Sequence, residues 1–250
     1  MTKPPAQHWP QIRTVGIDGM LVSFADVLSE PANRAALAMR ARLEREGWDG
    51  VLETSSTLAS TFVRFDPFVL PHAELHTRLE ALLSEEDWFS AAPPEGRRFW
   101  RIPAVFGGDL APQLEEAATA AGMCAEDAVH SLSSSRVRVT TLGFAAGQPY
   151  LGELPEAWNL PRQTGLTPKV PVGALVVAIR QFVLFATSAP TGWRHIAQTA
   201  FTCFRPESDT PFALRAGDEV QFTSISREEY EAIRARDTTG DGGATVEPIR

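Results

Sequence analysis

Hydrophobic and polar positions in the first third of the chain alternate between helical and strand-like spacing. Residues 14–24 predict a strand or hairpin with a turn at Asp18-Gly19, a dipeptide that favours tight hairpin turns. Ser29 and Pro31 predict a helix start, and Gly47 predicts its end after residue 46. Two more strands and one more helix are then predicted, at 51–54, 60–65 and 73–84. This β-α-β-β-α order predicts a small α+β unit that resembles a ferredoxin-like domain.

Beyond residue 98 the pattern changes to short apolar runs separated by turn residues. Strands are predicted at 99–106, 137–144, 175–179, 182–186, 200–204 and 219–225, and helices at 109–121, 125–131 and 227–236. Many short strands between turns favour a closed barrel or a sandwich. The glycine-rich, polar residues 237–250 predict a frayed end.

A linker-like segment separates these two patterns: residues 91–98 are small and polar, contain proline and glycine, and show no apolar periodicity. We therefore predict a small α+β domain at 11–90, a linker at 91–98, a β-barrel domain at 99–228 and a C-terminal tail at 229–250.

Composition excludes several classes of protein. The 250 residues are 44% hydrophobic, enough for a substantial core, but contain no apolar run of membrane-spanning length and begin with a polar, proline-rich segment. We expect a cytoplasmic protein without membrane contact. The net charge of -8 argues against non-specific nucleic-acid binding, and two cysteines predict no disulfide framework. His72 and His76 have metal-compatible spacing but no evident third ligand, so no metal site is predicted.

The stretch 143–193 concentrates the candidate chemistry. Its glycines and prolines predict turns around apolar strands. Residues 143–206 carry two acidic and five basic side chains, a local net charge of +3 within a chain of net -8. This reversal favours a small anionic ligand, with a basic outer rim as the alternative.

Three side chains of this stretch have the chemistry of a binding site. Arg162, directly after a proline, can offer its planar guanidinium to a carboxylate or phosphate, or it can simply brace its loop. Gly192 lets a ligand approach the backbone closely, and the Trp193 ring can form a flat wall of a binding site. The tryptophan could instead plug one end of the barrel. Tyr150 has the same two interpretations.

The motifs around these residues resemble the KipI / allophanate hydrolase subunit 1 family, which includes the B subunit of bacterial 5-oxoprolinase and is related to part of the urea carboxylase carboxyltransferase domain. The resemblance is carried by Gly143-Phe144, Gly147, Tyr150-Leu151-Gly152, Pro161-Arg162, Val170-Pro171-Val172-Gly173 and Pro190-Thr191-Gly192-Trp193. It implies a ferredoxin-like N-terminal domain followed by a cyclophilin-like β-barrel domain.

The same resemblance implies roles for individual residues. Arg162, Lys169 at the family's second basic position and His130 after the short helix are the implied catalytic residues. A satisfied structural histidine is the competing interpretation of His130. The implied substrate-binding residues are Gly143, Phe144, Tyr150, Gly192 and Trp193.

The function implied is that of one subunit of an ATP-dependent 5-oxoprolinase, which opens 5-oxoproline to glutamate. ATP would act at the assembled complex, with a companion of the allophanate hydrolase subunit 2 / KipA type (the 5-oxoprolinase C subunit) and a small anionic substrate.

The sequence has no Walker motif, no G-x-S-x-G and no biotin-attachment lysine. Two alternatives stay open: a KipI-like inhibitor of a sensor histidine kinase, and a carboxyltransferase or allophanate hydrolase-type component of urea metabolism. An apolar face for the companion is expected at Phe144, Tyr150, Leu151 and Trp158.

Three positions depart from the family's loop motifs: Ala146 replaces proline, Gln148 replaces phenylalanine and Thr191 replaces glycine. A β-branched residue tolerates positive φ poorly. If the glycine position required positive φ, the loop around Trp193 must be remodelled; if it did not, the change costs little. We predict remodelling, and with it weak or absent 5-oxoprolinase activity.

Overall fold

A computed structural model describes residues 8–249, and the chain divides into two compact units after Glu95. The first unit contains four strands and two α-helices: β1 (Gln11–Val15), β2 (Gly19–Ser23), α1 (Glu30–Glu46), β3 (Val51–Ser56), β4 (Ser60–Phe65) and α2 (His72–Glu85). The strands form one antiparallel sheet in the order β1-β2-β4-β3. The predicted hairpin, both helices and both later strands are therefore confirmed.

Local sequence signals fix the ends of α1. The Ser29 side chain accepts a hydrogen bond from the backbone N–H of Ala32, and Pro31 lies in the first turn, where its missing N–H costs nothing. Gly47 ends the helix with φ of 57°, a left-handed conformation that glycine adopts readily. The buried side of α1, including Met39, packs with Val63 and Phe65 of β4 in the core of this unit.

The second unit is built on a β-barrel. Its elements are β5 (Arg98–Phe106), α3 (Leu114–Ala120), α4 (Ala125–Ser134), β6 (Val137–Leu142), β7 (Pro149–Gly152), β8 (Thr167–Val170), β9 (Ala174–Ala178), β10 (Gln181–Leu184), β11 (Ala189–Thr191), β12 (Arg194–Gln198), β13 (Glu219–Ser224), α5 (Arg227–Arg236) and β14 (Thr245–Pro248). Seven strands close in the order β5-β12-β9-β10-β7-β6-β13, and β13 returns to β5 in parallel. The prediction of a barrel is confirmed.

Strands β9 and β10 are buried on both faces. Their residues Leu175, Val177, Phe182 and Leu184 belong to the main core inside the barrel. The alternate residues form a second, smaller core on the outer face, made of Val170, Ala174, Val176, Ala178, Val183, Phe185 and Trp193. Val170 comes from the two-stranded ribbon of β8 and β11, which covers this outer face. Burial on both sides explains why β9 and β10 are continuous apolar runs rather than alternating ones.

The prediction of a strand at 200–204 is wrong. The strand in this region is β12, and residues 200–203 form irregular structure with an isolated bridge from Phe204 to Phe212. Phe201 and Cys203 are buried while Thr202 between them is not, which imitates strand alternation. Burial raises the pKa of the Cys203 thiol to about 12, so this cysteine is a protonated packing residue at neutral pH.

Two other boundaries also differ from the predictions. The helix expected at 109–121 begins only at Leu114, since the residues before it form turns. The expected frayed end instead contains β14, which pairs with β5 from Arg98 to Arg101. Arg205 anchors the glycine-rich turn before β14 through an ion pair with Asp241 and a hydrogen bond to the Gly240 carbonyl.

Within residues 8–249, no helix combines the length and apolar character needed to cross a bilayer. The same residues contain no group of three or more His, Cys, Asp or Glu side chains arranged to hold a metal ion. His72 packs edge-on against Phe65, with ring centroids 4.8 Å apart, and His76 Nδ1 lies 3.4 Å from a carboxylate oxygen of Glu80. Both histidines thus have local partners on or beside α2.

Candidate functional site

Five of the eight predicted site residues line a single cavity of about 270 Å³ beside the outer core of the barrel. These five residues are Phe144, Tyr150, Arg162, Gly192 and Trp193. The sequence did not indicate the other lining residues as site residues: Gln148, Gln163, Leu166, Val183, Phe185, Pro190 and Thr191. Residues from β7, β10, β11 and the 161–166 loop meet here because the β8–β11 ribbon packs over the barrel wall. We call this space the Arg162 cavity.

Trp193 is the wall of the Arg162 cavity. Its ring meets that of Tyr150 in a T-shaped contact, with centroids 6.2 Å apart and an interplanar angle of 79°, a favoured aromatic geometry. Its backbone N–H donates to Thr191 Oγ1 at 3.0 Å. Trp193 packs with the outer core, among Val176, Val183 and Phe185.

Arg162 is the cation of the cavity. Its guanidinium carbon lies 5.4 Å from the centroid of the Trp193 ring, and cation–π contacts of this kind contribute about 0.5–1 kcal/mol at exposed sites. Among the described residues Arg162 has no carboxylate partner, whereas three other arginines of the stretch are paired. Those pairs are Arg180 with Glu153 and Glu156, Arg194 with Glu116, and Arg205 with Asp241. The excess positive charge therefore concentrates at Arg162 and Lys169.

Two glutamines hold the loop that carries Arg162. The backbone N–H of Gln163 donates to the Gly192 carbonyl at 2.7 Å, and its side-chain Nε2 donates to the Trp193 carbonyl at 3.1 Å. Gln113 Nε2 in turn donates to Gln163 Oε1 at 2.8 Å. This network ties the 161–166 loop to the turn between β11 and β12.

Phe144 has an unusual backbone and an unusual exposure. Its φ is 70°, a left-handed conformation that costs a residue other than glycine about 1–2 kcal/mol, and its side chain is 73% exposed. Strain of this kind is kept where the surrounding structure requires it, often at binding sites. Gly143 precedes Phe144 and donates its N–H to the Gln148 carbonyl at 3.0 Å, which closes the turn before β7.

The structure does not bring the other two predicted catalytic residues into this cavity. Lys169 lies on β8, is exposed and lines a neighbouring pocket together with His195 and Gln198. His130 lies on α4 and is exposed. The roles implied for both residues stay predictions.

Thr191 has extended backbone in this chain. The residue lies in β11 and is not among the described residues with positive φ. A β-branched side chain suits such extended backbone. Thr191 is buried, and its hydroxyl accepts the Trp193 N–H, so the threonine supports the wall of the cavity rather than straining it. The predicted remodelling of the loop around Trp193 stays a prediction.

Replacing Thr191 by glycine should therefore weaken the structure. The change removes a hydrogen bond and adds backbone freedom, with an expected loss of about 1–2 kcal/mol in the free energy of unfolding. Thr191→Ser, which keeps the hydroxyl, is the matched control and should lose less. Denaturant unfolding of both variants provides the measurement, and a glycine variant as stable as the wild type would contradict the assigned role.

The family described as carboxyltransferase domain, subdomain C and D, matches residues 10–214, and the chain belongs to this family. The chain is 30% identical over 236 residues to the 5-oxoprolinase B subunit of Bacillus subtilis (strain 168), covering 90% of this chain and 96% of that protein.

Solved structures agree with the fold. The crystal structure of TTHA0988 is similar with a TM-score of 0.71 and 29% identity, covering 86% of this chain and 40% of that chain. The present chain thus spans less than half of TTHA0988. The crystal structure of Kluyveromyces lactis urea carboxylase is similar with a TM-score of 0.73 over 98% of this chain and 24% of that chain. At 18% identity, this second likeness concerns the fold alone.

Proposed function

We propose that the chain is the B-type component of a 5-oxoprolinase complex, which opens 5-oxoproline to glutamate with ATP. The relationship to the B. subtilis 5-oxoprolinase B subunit along nearly the whole of both chains supports this assignment. The role of the site rests on one observation: Arg162 has no carboxylate partner among residues 8–249 and lies over the Trp193 ring in a small aromatic cavity.

The size and lining of the Arg162 cavity suit a small cyclic carboxylate. Its volume of about 270 Å³ is near the lower end of the range of small-molecule pockets, about 300–1,000 Å³. The guanidinium of Arg162 would bind the substrate carboxylate through two parallel hydrogen bonds. Tyr150 and Trp193, which contact each other, would form one aromatic wall beside the lactam ring. A nucleotide is too large for this space, so ATP would bind elsewhere in the assembled complex.

In this proposal the chain contributes binding and positioning. Opening a lactam builds negative charge on the lactam carbonyl oxygen, and holding the ring in one orientation lowers the entropic part of the barrier. Arg162 fixes the carboxylate, and the Gln163 network fixes Arg162. Lys169 would add a second positive charge from the neighbouring pocket. His130 would have to act from outside the Arg162 cavity.

The companion subunit would cover the rim of the Arg162 cavity. Phe144 is 73% exposed and Leu166 is 67% exposed, and both line the opening. Exposed apolar side chains grouped at a site indicate a surface that another chain covers. Leu151 and Trp158 were also expected on this face, but both are fully buried in the barrel core, so that expectation is wrong. We propose a companion of the KipA type, the 5-oxoprolinase C subunit.

Co-expression with that companion tests the proposal. We expect a stable complex that buries more than about 1,000 Å² and forms glutamate from 5-oxoproline only when ATP is present. Phe144→Asp should weaken the complex, because it places a charge in the apolar contact. Phe68→Asp is the matched control, since Phe68 is 97% exposed in the first unit. Size-exclusion chromatography that shows only separate monomers would contradict the proposal.

A carboxyltransferase role is the second candidate, because the matching family is described as a carboxyltransferase domain. The two functions differ in their need for biotin. ATP-driven lactam opening needs no biotin, whereas a carboxyltransferase accepts carboxybiotin as the donor of the carboxyl group. Transfer of labelled carboxylate from carboxybiotin to an acceptor by the reconstituted complex, without turnover of 5-oxoproline, would favour the second candidate.

We also infer finer fold assignments for the two units. In the first unit, β2 and β3 flank β4 and both run antiparallel to it, with α1 between β2 and β3 along the chain. This split β-α-β arrangement supports a ferredoxin-like domain in which the edge strand β1 comes first. We assign the barrel as cyclophilin-like, with a boundary at residues 91–98.

A further inference from the structure

The loop that carries Arg162 borders two spaces, the Arg162 cavity and an open recess of about 720 Å³. Arg162, Gln163 and Leu166 line both of them. Apart from Gln163, the residues 161–166 are exposed. Side-chain packing therefore contributes little to the order of this loop, and its polar contacts determine the direction in which Arg162 projects.

A side chain of β12 holds the backbone immediately before Arg162. Arg194 Nη1 donates a hydrogen bond to the Pro161 carbonyl at 2.9 Å. This carbonyl shares a rigid peptide plane with the N–H and Cα of Arg162, because the peptide bond has partial double-bond character. The contact therefore fixes the orientation of the chain where it enters Arg162.

The peptide plane after Arg162 is held as well, since the Gln163 N–H donates to the Gly192 carbonyl at 2.7 Å. A residue has only two soft backbone dihedral angles, so holding both neighbouring planes restricts the Cα–Cβ direction of Arg162. The partners Gly192 and Arg194 flank Trp193, whose ring Arg162 contacts. Three consecutive residues thus hold both the backbone and the side chain of Arg162.

Arg194 is held in turn by α3. Its Nε donates to Glu116 Oε1 at 2.8 Å, and the Arg194 side chain is 12% exposed while that of Glu116 is 52% exposed. A guanidinium has five N–H donors in a fixed plane, so one arginine can bind a carboxylate and a carbonyl at the same time. Because Glu116 compensates its charge, Arg194 suits the holding of a loop better than the binding of an anion.

We propose that Arg194 is a positioning residue for 5-oxoproline binding. It holds the peptide plane between Pro161 and Arg162, and Glu116 holds Arg194. Two parallel hydrogen bonds to a carboxylate require a defined orientation of the guanidinium, so a loop without this restraint binds the substrate more weakly. The role in binding rests on the proposed function, whereas the ordering of the loop does not.

Backbone ¹⁵N relaxation of the isolated, labelled full chain tests the ordering of the loop. Arg194→Met keeps an unbranched stem and removes the guanidinium. We expect the order parameters of the Arg162 and Gln163 amides to fall from about 0.85, typical of rigid backbone, to below about 0.6. Glu116→Ala, at an exposed position of α3, should lower them by a smaller amount.

Arg205→Met is the matched control. The Arg205 side chain is 16% exposed, pairs with Asp241 and donates to the carbonyls of Thr202 and Gly240. It therefore resembles Arg194 in burial and in its partners, but it holds a different segment. Its removal should leave the Arg162 and Gln163 amides as rigid as in the wild type.

Kinetics of the assembled complex test the role in binding. Arg194→Met should lower kcat/KM for 5-oxoproline about tenfold, mainly through a higher KM. Because Arg194 acts through Arg162, the same change in an Arg162→Ala background should have no further effect, whereas independent roles would add. Arg194→Lys keeps the charge but not the planar donors, so it should recover only part of the loss.

Unchanged order parameters in Arg194→Met, or an equal fall in Arg205→Met, would overturn the ordering role. Additive effects of Arg194→Met and Arg162→Ala on kcat/KM would overturn the role in binding. A wild-type complex that does not turn over 5-oxoproline would contradict the proposed function instead. The relaxation measurement needs neither the companion subunit nor ATP, so it would still decide whether Arg194 orders the loop.

Discussion

Arg162→Ala is expected to reduce 5-oxoproline turnover by the assembled complex at least about 100-fold. The guanidinium would supply two charge-assisted hydrogen bonds to the substrate carboxylate, each contributing about 1.5–3 kcal/mol, and a loss of about 2.7 kcal/mol already corresponds to 100-fold. Arg162 is exposed and makes no ion pair within residues 8–249, so its removal should leave the fold intact. The measurement is ATP-dependent glutamate formation together with thermal unfolding.

Two further variants make this test specific. Arg162→Lys keeps the charge but loses the planar, two-point geometry, so we expect it to recover only part of the activity. Arg215→Ala removes another exposed arginine of the barrel unit that does not line the Arg162 cavity, and it should behave like the wild type. If Arg162→Ala retained normal turnover with normal stability, Arg162 would be a brace of its loop and not a binding residue.

The sequence predicted the elements that depend on local signals. Ser29 and Gly47 mark the ends of α1 through a side-chain cap and a left-handed glycine, both of which are short-range effects. The strands β9 and β10 were predicted from another local signal, their continuous apolar runs. Periodicity could not show that both faces of these strands are buried. That burial depends on the β8–β11 ribbon, which long-range packing brings over the barrel.

The candidate site was predicted in part. Glycine and proline spacing identified the loops of Phe144, Arg162 and Trp193, and the fold brings these residues together. Sequence spacing could not show that Lys169 borders a different pocket, because the side of the ribbon on which a residue lies depends on strand register. It also could not give the sign of φ at Thr191, which is fixed by pairing with β8.

The largest loss of stability is expected from Asp218→Ala. Asp218 is 2% exposed and immediately precedes β13, where this strand begins its parallel pairing with β5. Its carboxylate accepts hydrogen bonds from the backbone N–H, Nε and Nη2 of Arg98, from Trp100 Nε1 and from the backbone N–H of Arg215. The ion pair with Arg98 therefore joins the starts of two strands that close the barrel.

Removing this carboxylate leaves the Arg98 guanidinium, which is three-quarters buried, without its counter-charge. It also leaves several hydrogen-bond donors without an acceptor. Breaking one side of a buried ion pair costs about 3–5 kcal/mol, so we expect Asp218→Ala to lower the free energy of unfolding of the barrel unit by that amount. Asp109→Ala breaks the exposed pair with Arg227 and should hardly change the unfolding midpoint. Denaturant unfolding of the full chain, followed by near-ultraviolet circular dichroism, compares the two variants. Similar midpoints would show that the Arg98–Asp218 pair does not hold the barrel closed.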